Sequence, residues 1–213
     1  MTDKVGKWLE GSAYGPVMKQ TDIFLLGVTL TVNPVLTGDH PDIRINFNVS
    51  TGDITAQNPK DDKEEPPWEP YQEQPAVLPR CTTLYIICRQ TPWCIHIENR
   101  TGVTVKDVFT SLYAFHSNEF ITEDEWNALP PKTQDRIKRM ARQDGNLGGP
   151  VPQTPGQWSY YHQSPNPTSV RFARKAWLQS RVNLDDLKVD DEYCEQRLGY
   201  KGPNVLVMTL TED

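Results

Sequence analysis

The strongest constraint on what this chain can fold into is a change of hydrophobic period between residues 82 and 113. Thr82 to Cys88 is a nearly continuous apolar run, and Trp93, Ile95 and Ile97 then alternate with Cys94, His96 and Glu98. Both are strand patterns, the second with one buried and one wet face, and Gln90-Thr91-Pro92 supplies the turn of a hairpin between them. This hairpin is expected at the centre of a sheet. After Gly102 the apolar residues fall at Val105, Val108, Phe109, Leu112 and Tyr113, the spacing of an amphipathic helix, with Thr104 and Asp107 placed as its capping pair.

The same two rules organise the rest. Ile43, Ile45, Phe47 and Val49 alternate with polar residues, and Phe24 to Val32 alternates as well. A β-rich opening is expected, with Asn33-Pro34 and Gly38-Asp39 as the turn between its strands. Thr122 with Glu125 opens a short helix, and Pro131 in a first turn opens another through Ile137, Met140 and Ala141 to Gly145. Val170 to Val182 reads as strand, Asp190 to Leu198 as a short acidic helix, and Val205 to Leu210 as a closing strand. Strands, then helices, then strands predict an α+β fold: a mostly antiparallel sheet packed by two or three helices, with long Pro-rich loops.

A length of 213 residues suits a single domain, 1–213, with residues 1–20 as an N-terminal extension and two long loops. Residues 53–79 hold six prolines and seven acids against two lysines, an acidic, semi-extended composition with little to bury. Its aromatics, Trp68 and Tyr71, are expected to dock on their own domain or on a partner. Residues 145–167 form a Gly/Pro-rich loop that carries Trp158, Tyr160, Tyr161 and His162.

The formal net charge of −6 repels nucleic acid and anionic lipid, so neither is expected as a partner. Residues 1–10 lack the apolar centre of a secretory signal, and Ile23 to Val32 is about half of the ~20 residues a membrane-spanning helix needs. Four scattered cysteines do not make a disulfide framework. The cytoplasm is the expected compartment, with the nucleus left open and secretion not expected.

The strand TTLYIICRQTPWCIHIENR, the turn and helix GVTVKDVFTSLYAFHSNEFIT and the segment EWNALPPKTQDRIKRMARQ, all between Pro79 and Arg142, resemble the basidiomycete fungal domain of unknown function 6699 family. Asn33-Pro34-Val35-Leu36 with the following strand resembles that family's opening motif, and Ala176-Trp177-Leu178 onward its closing segment. The resemblance implies architecture and an intracellular fungal setting; it implies no catalytic residue and no cofactor.

Among chemical candidates, Cys88, Cys94 and His96 lack the paired spacing of zinc ligands, and structural thiols are the preferred reading. His96 shares a strand face with Cys94 and Glu98, exposed or lining a groove. Asp39-His40-Pro41-Asp42 has the composition of an ordinary turn, and His116 suits the negative end of a helix. Lys132, Arg136, Lys138, Arg139 and Arg142 form one basic cluster on a helix; Arg171, Arg174, Lys175 and Arg181 form another around a strand. A solvated face or internal ion pairs account for both. No catalytic residue, metal site or cofactor is predicted. The expected function is a non-enzymatic interaction module for a protein partner or for self-association, with Trp158, Tyr160, Tyr161, His162, Trp68, Tyr71 and His96 as candidate contact residues. The alternative is a small-molecule-binding protein or enzyme with a pocket under the 145–167 loop.

Overall fold

The computed structural model describes residues 8, 16–61, 63–143 and 172–212. They group into two compact units, one of residues 1–113 with 180–213 and one of residues 114–179. The chain is α+β, as its order of periodicities predicted.

The first unit is built on a six-stranded sheet. Its strands are β2 (Arg44–Asn48), β3 (Ile54–Gln57), β5 (Thr83–Cys88), β6 (Cys94–Glu98), β7 (Asn183–Lys188) and β8 (Val205–Thr211), in the order β3-β2-β7-β8-β5-β6. Every neighbouring pair is antiparallel except β5 and β8, which run parallel. A separate two-stranded ladder joins β1 (Thr31–Val32) to β4 (Val77–Leu78).

Each sheet face has its own cover. Phe47, Leu184, Leu210, Leu206, Ile86 and Ile95 follow one another across the registers and are all buried. On that face the α4 helix (Val105–Asn118) packs with Val105, Val108, Phe109 and Leu112 buried, and the Phe109 ring lies 4.8 Å from Phe47. Thr104 and Asp107 cap α4 reciprocally, the Thr104 N–H donating to Asp107 Oδ2 at 2.9 Å and the Asp107 N–H to Thr104 Oγ1 at 3.2 Å. On the opposite face Ile87, Val205 and Val207 pack with Cys194, from the short acidic helix Asp191–Leu198.

The structure corrects several expectations. Phe24 to Val32 is not a strand: Gln20–Leu25 is the helix α1, and only Thr31–Val32 enters a ladder. The Lys19 N–H donates to Asp22 Oδ2 at 3.0 Å, which starts the helix. Gly27 at φ 58° ends it, with the Val28 N–H reaching back to the Ile23 carbonyl. Asn33 and Gly38 are not a strand-to-strand turn but the caps of a one-turn helix, α2 (Pro34–Thr37), the Asn33 side chain accepting from the Val35 N–H at 2.9 Å and Gly38 at φ 76°. Residues 53–79 are more ordered than their composition suggested, because β3, the one-turn helix α3 (Glu69–Gln72) and β4 all lie there. The β5-β6 hairpin forms as predicted, but at one edge; β7 and β8 hold the centre.

Asn33 is fully buried and does more than cap α2. Its Nδ2 donates to the Pro75 carbonyl at 2.9 Å and to Gln74 Oε1 at 3.2 Å, tying two segments far apart in sequence. Asn33→Ala leaves a buried N–H and carbonyl without their partners, so we expect a loss of about 2 kcal/mol, read by urea unfolding.

In the second unit, Thr122 and Glu125 form the expected capping box at the start of α5 (Glu123–Asn127), and Pro131 opens α6 (Pro131–Gln143). Of the expected strand Val170 to Val182, the described part, residues 172–182, is not a strand. Phe172 stacks on Trp126 at 4.8 Å and Lys175–Leu178 forms the one-turn helix α7, so Arg174 and Lys175 of the second basic cluster belong to a helix rather than a strand. Arg174 pairs with Glu119 and Glu125 and lies over the Phe115 ring at 4.4 Å. With α1 to α7 assigned, Asp191–Leu198 becomes α8. It opens on Asp190, whose carboxylate accepts from the Tyr193 N–H at 2.9 Å, and closes on Gly199 at φ 80°.

Candidate interaction surface

A six-residue helix with one apolar stripe can bury about a third of its side chains. In α1 only Ile23 is wholly buried, while Phe24, Leu25 and the capping Leu26 are 44%, 85% and 70% exposed. Three consecutive large apolar side chains therefore project into solvent just before the Gly27 turn. The sequence reading missed this knuckle by assigning those residues to a strand. The only signal was weak: three consecutive large apolar residues ahead of a glycine cannot all face one buried side, but they do not say which of them stays in water.

The start of α1 is tied to the hairpin. Tyr85 on β5 donates its hydroxyl to Gln20 Oε1 at 3.3 Å, and its ring stacks on His96 at 5.1 Å. His96 is exposed and shares its face with the exposed Cys94 and Glu98, as its strand position predicted. Cys94 faces Ile87 in the ladder, so it does not lie opposite Cys88. A one-residue offset in a strand sends side chains to opposite faces. Cys88 accordingly points inward, within 2.7 Å of Gln90 Oε1.

Trp68 and Tyr71 both dock on their own unit. The Trp68 ring meets Phe109 edge-on at 6.1 Å, and Tyr71 meets His40 edge-on at 5.1 Å. His40 accepts the Asp42 N–H on Nδ1 at 3.2 Å, while the Asp42 carboxylate pairs with Lys60 at 2.9 Å. Burial lowers the His40 pKa against the opposing pull of Asp42, and the hydrogen bond from Lys60 holds Asp42 below the usual carboxylate range. This is a braced turn, as its composition suggested. Trp158, Tyr160, Tyr161 and His162 lie outside the described residues.

Nucleophilic chemistry at the thiols is disfavoured by their electrostatics. Burial pushes Cys81 up to about 12 and raises Cys88, Cys94 and Cys194; the Arg197 charge only partly offsets this at Cys88 and Cys94. Thiols held above their ordinary pKa stay protonated at neutral pH. His96 spends its ring on Tyr85 rather than on a cysteine. All four cysteines are free, and among the described residues no group of three His, Cys, Asp or Glu side chains is placed to hold a metal ion. Chelator and reductant should therefore each move the thermal midpoint by less than about 5 °C; a larger fall with either would reveal a metal or a bridge that supports the fold.

Among the described residues no helix is long and apolar enough to cross a membrane. Four exposed cations of α6, Lys132, Arg136, Lys138 and Arg139, form the basic face expected there. Arg136 is bonded to Gln179 Oε1 at 2.7 Å, and Lys138 lies 5.5 Å from the Trp126 ring centre. In the other cluster Arg181 pairs with Glu212 at 3.4 Å, and Arg174 is paired as described above.

The model of a family of unknown function, DUF6699, matches residues 45–195. The chain belongs to this family. The DUF6699 match runs from β2 into α8, so it contains the hairpin, α4, α5 and α6 on which the resemblance rested. No curated protein and no solved structure matches the chain. Membership of DUF6699 carries architecture and transfers no reaction to any residue.

Proposed function

We propose that the chain is a non-enzymatic interaction module that binds a protein partner or a second copy of itself. The observation that carries this reading is the Phe24-Leu25-Leu26 knuckle, whose side chains are 44%, 85% and 70% exposed. Isolated exposed apolar residues are ordinary, but three in sequence on a short helix leave a contiguous patch whose burial in an interface is favourable. The raised thiol pKa values support the non-enzymatic half, and four free cysteines suit a reducing compartment such as the cytoplasm.

Light scattering coupled to size-exclusion chromatography, together with affinity capture from a lysate, tests this on the full chain. The double variant L25S/L26S should weaken partner capture relative to the native chain, while its thermal midpoint stays within about 2 °C because both side chains are exposed. A strictly monomeric chain that recovers no partner overturns the reading.

A further inference from the structure

The two edges of the six-stranded sheet are treated differently. β3 is followed directly by Asn58, Pro59 and Lys60, the residues that usually blunt an edge. The other edge strand, β6, holds no proline or lysine between Cys94 and Glu98, and no described strand pairs with its outer side.

Which backbone groups line that outer side follows from two hydrogen bonds. The Asn99 N–H donates to the Thr82 carbonyl at 2.9 Å, so Asn99, and with it Ile97 and Ile95, turn their backbone groups toward β5. The Tyr85 N–H donates to the Asn204 carbonyl at 3.0 Å, on the β8 side, so its ladder partner His96 points away from β5. The N–H and C=O groups of Cys94, His96 and Glu98 therefore face outward.

We infer that this outer edge of β6 pairs antiparallel with β6 of a second copy of the chain, setting His96 of each copy against Glu98 of the other. The inference rests on the self-association part of the interaction reading above and adds to the Leu25-Leu26 knuckle a second surface with a named partner. Charge complementarity selects the register. Outward residues must meet outward residues, which limits the two-fold centre to single positions along β6. Centred on Ile97, the pairing places each imidazole beside a carboxylate of the other copy, on the sheet face where His96 and Glu98 are already exposed. Centred on His96, it opposes two imidazoles and sets Glu98 against the Cys94 thiol. Centred on Glu98, it opposes two carboxylates, and centred on Ile95 it brings Pro92, which has no N–H, opposite Glu98. An imidazole directly across a ladder from a carboxylate can donate a hydrogen bond to it and favours pairing, whereas two carboxylates disfavour it.

Two measurements on the full chain test this. In the native chain, amide exchange at Cys94, His96 and Glu98 should slow as concentration rises, whereas Ile95 and Ile97 stay protected throughout, since β5 already holds them. By sedimentation equilibrium, Glu98→Lys and His96→Glu should each weaken self-association about tenfold, and the double exchange H96E/E98K should restore it to within about threefold. Both substitutions sit on exposed positions, and the amide measurement needs no variant. A dimer indifferent to the charge exchange, or exchange at the three outward amides that ignores concentration, overturns the inference. A monomeric chain that captures a different protein through Leu25 and Leu26 overturns it too, while leaving the interaction reading in place.

Discussion

Phe109→Ala should cost about 3–5 kcal/mol and lower the thermal midpoint by about 10 °C. Phe109 is 2% exposed, its ring lies 4.8 Å from Phe47 on β2, and Trp68 meets it edge-on at 6.1 Å. Truncation removes the side chain that joins three parts of the first unit: α4, the sheet, and the acidic segment carrying Trp68. The vacated volume is bordered by a strand and a helix held by their own ladders and caps, which limits collapse and places the effect toward the upper end. Phe109→Leu keeps most of the volume and should recover more than half of the loss. Trp68 fluorescence gives a second readout, because its indole loses an aromatic neighbour even where the fold survives. A Phe109→Ala protein within 1 kcal/mol of the native chain would mean that this ring is not a centre of the core.

Arg197→Ala should have the second-largest effect, about 2–4 kcal/mol. From α8 the Arg197 guanidinium reaches the hairpin: Nη1 donates to the Cys88 carbonyl and to the Tyr193 hydroxyl at 2.9 Å, and Nη2 donates to the Trp93 carbonyl at 3.0 Å. These carbonyls flank the Arg89 to Pro92 turn, so one side chain closes the mouth of the hairpin and fixes α8 above β5. Tyr193 is held in the same cluster, with Arg89 over its ring at 4.1 Å and Arg89 bonded to Asp190 at 2.5 Å. A planar fork with several donors is what this geometry needs, so Arg197→Lys, with one ammonium point, should restore less than half of the loss. The thiols provide an independent measurement. Arg197 lowers the pKa of Cys88 and Cys94 against the larger effect of burial, so its removal leaves both higher still. Alkylation of the exposed Cys94 at pH 8 should then slow; unchanged alkylation together with unchanged stability would remove Arg197 from this role.

Both predictions concern features that differ in how far the sequence announced them. Phe109 falls on the apolar stripe of a helix whose period and capping pair were legible before any coordinates, and the structure places it where the stripe requires. Arg197 was hidden, because an arginine in the last turn of an acidic helix has the same local appearance whether it is solvated or forks onto two carbonyls more than a hundred residues away. The candidate surface divides in the same way. His96 is exposed on the predicted face of β6, whereas the Phe24-Leu25-Leu26 knuckle was taken for part of a strand.

The sequence by itself determined the elements whose side chains or composition mark them over several residues: β2, the β5-β6 hairpin, α4, α8 and β8, with the caps at Thr104 and Thr122. Periodicity and capping are local, and each is satisfied within a few residues. Only the tertiary structure decided the strand order, with β8 inserted parallel to β5 and the hairpin displaced to the edge. It also decided the identity of β7, whose Leu184 and Leu187 lie three residues apart because a bulge between Leu184 and Asp186 breaks the alternation. Residues 24–26 stayed ambiguous for a related reason: an apolar triplet satisfies a strand, a buried helix or an exposed knuckle equally well until its neighbours are placed. Which apolar residues remain in water is settled by the packing of distant segments, and that information is not carried by any one stretch of the chain.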